Sequence, residues 1–165
     1  MRKEINNWKN SSKYKEFQAK LNIKRQELFE LKNEIMDKKD SELSNEELKD
    51  LIKIIKALDK EPRSVDEFDY NYFSIIGTRE DILHEYMSRM MNWFFYLGVN
   101  ILDEEFELCA ELRDVIAIEK KQMLYSLEEY KNILFIDDEF LDKVNAVDER
   151  FYDTINNRVV GKTEL

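Results

Sequence analysis

Residues 90–102 read MMNWFFYLGVNIL, a bulky apolar run in a chain whose formal net charge is −10. A membrane-spanning helix needs roughly 20 consecutive apolar residues. This run offers 13 positions, interrupted by Asn92, Gly98 and Asn100, so it is too short to span. Extended upstream, it takes on a helical period. Ile82, Tyr86, Met90, Trp93 and Leu97 form one stripe, and Leu83, Met87 and Phe94 widen it to an arc of about 140°. Thr78 can cap this helix at its start, and Gly98 can end it by taking a left-handed conformation, which predicts a helix from Arg79 to Leu97.

A second line, His84, Ser88, Met91 and Phe95, runs at spacing 4, 3, 4 outside the main stripe. A bundle of several helices readily encloses one of them, so burial of this line is the expectation. Left exposed, methionine and aromatic residues beside polar ones are typical of partner sites. These four residues are therefore the candidate partner-binding positions.

The rest of the composition agrees with helices. Among 165 residues there are three Gly and one Pro, 43% of residues are apolar and 38% are charged. Long helices tolerate so few turn-formers and a β-sandwich does not. Twenty aromatic residues (ten Phe, eight Tyr, two Trp) supply enough apolar bulk to argue against disorder.

The N-terminal part carries a heptad seam, Tyr14, Phe17, Leu21, Lys24, Leu28, Leu31 and Ile35, which predicts one long helix over 12–39. Ser44-Asn-Glu-Glu47 is a capping box, and Leu48, Leu51, Ile52, Ile55 and Leu58 follow at helical spacing. So short a link favours an antiparallel hairpin. The seam can be satisfied within the hairpin, against the rest of the chain, or in a homodimer whose register Lys24 helps set.

Beyond Pro62, Ser64-Val-Asp-Glu67 is a second capping box opening a short helix with Val65, Phe68, Tyr72, Ile75 and Ile76 on its apolar side. A helix over 103–134 is expected to bury Leu102, Phe106, Cys109, Leu112, Ile116, Met123, Leu127, Tyr130 and Leu134. The last, over 138–156, carries Phe140, Val144, Val147, Phe151 and Ile155. Charge changes at the proline: residues 1–63 hold 16 basic against 13 acidic side chains, residues 64–165 hold 10 against 23. The expected organisation is all-α with about six helices: a coiled-coil-like N-terminal hairpin (1–62), an acidic helical bundle (63–156) and a flexible tail (157–165).

Parts for catalysis are scarce. His84 is the only histidine. Asp81-Ile-Leu-His84 has the carboxylate-x-x-His spacing of di-iron bundles, but such sites need the motif twice. One His and one Cys also leave a zinc site short of ligands. Cys109 lies on an apolar seam, where a buried thiol is the ordinary finding. Three glycines cannot build a phosphate-cradling loop. No cofactor or metal is expected. A metal-dependent enzyme using Asp81, His84 and bundle carboxylates is the third-ranked reading.

Asp103, Glu107, Glu111 and Asp114 fall within about 80° of arc on one helix. This acidic stripe is either a solvated face or a mimic of nucleic-acid phosphates that blocks a DNA- or RNA-binding enzyme. The basic excess near the N-terminus is too weak to predict direct nucleic-acid binding. A single cysteine excludes an internal disulfide, and no apolar run follows Met1-Arg-Lys-Glu, so a cytoplasmic protein with no membrane association is expected. The leading functional expectation is a small non-enzymatic interaction module, of inhibitor or immunity type, whose protein partner presents a basic surface.

Overall fold

The computed structural model describes residues 10–21, 23–37, 43–60, 78–132 and 134–163. The chain divides into two compact units, Met1–Ile76 and Gly77–Leu165. Among the described residues there are six α-helices and no strand, an all-helical architecture. The boundary that the sequence suggests at Pro62 and the Ser64–Glu67 box with the helix after it lie outside the described residues.

The first unit contains α1 (Ser12–Lys20), α2 (Ile23–Asp37) and α3 (Asn45–Asp59). The single long helix expected over 12–39 is thus two helices. Ser11 starts α1 by accepting the amide of Tyr14 at 3.1 Å. At Leu21 the backbone turns extended, φ −75° and ψ 142°, and α1 stops.

The break has a packing reason. In one continuous helix Phe17 and Phe29 would lie about 18 Å apart along the axis. With the chain folded back, their rings meet edge to face at 5.4 Å. Tyr14, Phe17, Phe29 and Leu58 then form one buried cluster, with Leu21, Leu28 and Ile54 packed against it. Gln18 Nε2 also donates to Glu30 Oε1 at 3.1 Å, across the same twelve-residue separation.

The break also changes the buried face. Among the described side chains of α2 the buried ones are Arg25, Phe29 and Lys32, while Lys24 and Leu31 of the expected seam are exposed. The seam is therefore divided between two helices and offers no continuous coiled-coil stripe. The hairpin geometry itself stands. Arg25 Nη1 donates to the carbonyl of Leu58 at 2.8 Å, tying the start of α2 to the end of α3 in antiparallel fashion. A cation on a last-turn carbonyl satisfies an acceptor the helix cannot satisfy itself. The Ser44–Glu47 capping box forms in both directions, at 3.2 and 3.3 Å, and all five apolar residues expected on α3 are buried.

The second unit is a bundle of α4 (Arg79–Leu102), α5 (Phe106–Glu129) and α6 (Asp138–Thr163), with α4 packed on both others. Thr78 caps α4 as expected, accepting the amide of Asp81 at 3.2 Å. Its hydroxyl donates to Asp81 Oδ2 at 2.8 Å. Gly98, however, does not end the helix. It sits inside α4 without a positive φ, and a Cβ placed there would meet nothing within 4 Å. The helix passes through because Leu97 and Asn100 on either side are buried, and burial outweighs the roughly 1 kcal/mol that glycine costs in a helix interior.

The stop comes four residues later. Glu104 takes the left-handed conformation, φ 58°, and the amide of Glu105 returns to the carbonyl of Asn100 at 2.9 Å. So tight a turn sends α5 back antiparallel to α4. Asp103 is thereby the C-terminal cap of α4 and not the first residue of α5. Leu102 and Phe106, expected on the buried seam of α5, are exposed at this turn, whereas Cys109, Leu112, Ile116, Met123 and Leu127 are buried as expected.

α6 runs alongside α4 in the same direction. Arg79 Nη1 reaches the Phe135 carbonyl at 2.7 Å and Asp137 Oδ2 at 3.3 Å at one end. Further along, Phe94 stacks on Phe151 at 5.1 Å. Asp137 starts α6 by accepting the amide of Phe140 at 2.8 Å. Lys120 of α5 bonds Asp148 of α6 at 3.0 Å. Where the apolar pattern stops near Asn156 and the sequence suggests a loose tail, the backbone remains helical through Thr163. An established helix extends by one hydrogen bond per residue at little cost.

Candidate functional site

The site begins from the breadth of apolar surface on α4. Ile82, Tyr86, Met90, Trp93, Phe94 and Leu97 are buried and seat the helix against its two neighbours. This satisfies the main stripe and leaves the second line outside. His84 and Ser88 are exposed. Met91 is 55% and Phe95 48% exposed, so the burial expected for this line is not found. The physical reason is that, among the described residues of its own unit, α4 packs on two helices, which cover one side of it.

Because α4 continues past Gly98, the line continues with it. Val99 and Leu102, 39% and 54% exposed, extend Met91 and Phe95 at spacing 4 and 3. All four fall within about 80° of arc and span roughly 16 Å of helix. Phe106, exposed just after the turn, adds a fifth apolar side chain at the same end. Val99, Leu102 and Phe106 were hidden from sequence reasoning by the assumption that Gly98 stops the helix. The signal was present in the unbroken spacing 84, 88, 91, 95, 99, 102.

The rim is acidic. Leu102 and Phe106 bracket the exposed carboxylates Asp103, Glu104 and Glu105, and Glu107 follows on α5, also exposed. The unit Gly77–Leu165 holds 20 Asp and Glu against 10 Lys and Arg. Of the acidic stripe, Glu107, Glu111 and Asp114 lie exposed on α5, while Asp103 stands in the turn, off the helix. The four carboxylates are thus not one ladder on one helix.

The remaining candidates for chemistry are placed as follows. Cys109 is buried, and desolvation pushes its thiol above the ordinary value, with Arg113 opposing. A thiol held protonated is a poor nucleophile. Asp81 is engaged by Thr78 at the start of α4. Among the described residues no three His, Cys, Asp or Glu side chains are grouped so as to hold a metal ion. No helix among them is long and apolar enough to cross a membrane.

No family model, curated protein or solved structure matches this chain.

Proposed function

We propose that the protein is a small, cytoplasmic, non-enzymatic interaction module that docks a protein partner on the outer face of α4. The observation that supports this reading is the contiguous exposed line Met91, Phe95, Val99 and Leu102, continued by Phe106. Exposed apolar patches of this kind, edged by polar residues, mark association surfaces. Flexible methionine beside rigid aromatics suits a docking face.

The partner's chemistry follows from the rim. Carboxylates at 103, 104, 105 and 107 favour a protein presenting an apolar ridge or groove with Lys or Arg at one end. A second copy of this chain is a poorer match, since it would bring two acidic turns together.

The test is capture from native cells with two baits in parallel, the wild type and the Met91→Glu/Phe95→Glu double variant. The expected result is a basic protein retained by the wild type and lost with the variant, while the melting temperatures of the two baits agree. Equal retention by both baits would overturn the reading.

A further inference from the structure

We infer that the second unit also contains a binding site for a single-chain organic anion, an amphiphile with a carboxylate head and an apolar tail, in the cleft between α4 and α6. This inference does not rest on protein docking at the outer face of α4. The cleft has a volume of about 350 Å³, at the lower end of the range of small-molecule sites. Its floor is apolar: Leu83 and Met87 from α4, Val147 and Phe151 from α6.

The rim is what selects the ligand. Its polar side chains are Lys143, Arg150 and Thr154, all exposed, and none of the lining residues is acidic. In a unit with twice as many acidic as basic side chains, a cleft whose two charged lining residues are both cations is a local reversal of sign. Lys143 and Arg150 are seven residues apart, so they rise from the same face of α6 about 10 Å apart along the axis. Both are long enough to converge on one anionic group above Val147.

Neither cation is strongly neutralised. Among the described residues Arg150 makes no ion pair. Lys143 has the solvent-exposed Glu139 at 3.9 Å, a kind of pair worth little, and lies within electrostatic reach of Glu80, whose direct partner is Arg79 at 2.9 Å. An incoming carboxylate therefore displaces no strong interaction, and its tail covers Leu83, Met87 and Phe151, which are only half-buried.

The probe is decanoate, kept below its micelle concentration, with decyltrimethylammonium as the chain-matched cation. Binding is followed by calorimetry and by the methyl resonances of Met87 and Val147. Decanoate is expected to bind saturably at one site, with shifts concentrated at those methyls. Decyltrimethylammonium is expected to bind at least ten-fold more weakly. Lys143→Glu/Arg150→Glu should lower decanoate affinity at least ten-fold, and Lys143→Gln/Arg150→Gln by less, all with unchanged melting because both positions are exposed. Equal binding of the two amphiphiles, indifference to charge reversal, shifts centred on Met91 instead, or no saturable binding would each overturn the inference.

Discussion

Phe94 and Phe95 are adjacent in the chain and lie in different surroundings. Phe94 is 3% exposed, stacks on Phe151 at 5.1 Å and meets Tyr152 edge to face at 4.6 Å. Phe95 is 48% exposed and touches the ring of its neighbour Tyr96 at 5.7 Å. One α-helix thus carries both the core of its unit and an apolar face that the core does not use.

This contrast predicts a divided response to mutation. Phe94→Ala should destabilise the protein by about 3–5 kcal/mol, the usual loss for a buried Phe truncated against packed neighbours. Phe95→Ala and Met91→Ala should change stability by no more than about 0.5 kcal/mol, as surface positions do. Urea unfolding of the three variants, with equal slopes, is the measurement. A loss of several kcal/mol at Phe95 would place it in a core.

Gly98 gives a prediction opposite in sign to its reading as a helix terminator. Inside α4, with no positive φ and open space at the Cβ position, Gly98→Ala should stabilise the protein by about 0.5–1 kcal/mol. Were the residue left-handed, the same change would destabilise it. Thermal melting distinguishes the two outcomes by direction alone.

Phe135 is the converse case. It holds φ 55°, a conformation that bulky residues avoid, and its side chain is 80% exposed, so little burial offsets the strain. Phe135→Gly should raise stability by roughly 0.5–1 kcal/mol, the relief of strain exceeding the added freedom of the unfolded chain. The carbonyl that Arg79 bonds is retained, so the start of α6 should keep its hydrogen exchange protection.

Asp137 links the start of α6 to pH. The amide of Phe140 donates to its carboxylate, and with the Arg79 guanidinium alongside this holds Asp137 below the ordinary aspartate value. Since the folded-state pKa is depressed, the stabilisation is fully present above the ordinary value near 4. It is lost as pH falls from there through the depressed value. Asp137→Asn keeps an acceptor for the Phe140 amide but cannot titrate. Its melting temperature should therefore fall less steeply than that of the wild type below about pH 4; parallel profiles would contradict the assignment.

What the sequence made legible was local. Ser44 with Glu47, and Thr78 before Asp81, are caps whose partners lie three residues away. The apolar residues of α3 needed only their own spacing. The break at Leu21 was not legible, because what favours it is Phe29, a partner brought close only by the break itself. Gly98 misled for a related reason: its neighbours' burial, which keeps the helix intact, is a tertiary fact. Met91 and Phe95 could be seen to lie off the main stripe, but whether that line is covered depends on how many helices surround α4. Spacing along one helix does not contain that number.

The most direct measurement is site-specific photocrosslinking in native cells, with a benzophenone amino acid replacing Phe95. Tyr125, an aromatic of similar exposure on α5, is the matched control. A discrete covalent adduct to a protein with a basic surface is expected from position 95, and none to that protein from position 125. Absence of an adduct at 95, or the same adduct at both positions, would contradict docking on the outer face of α4.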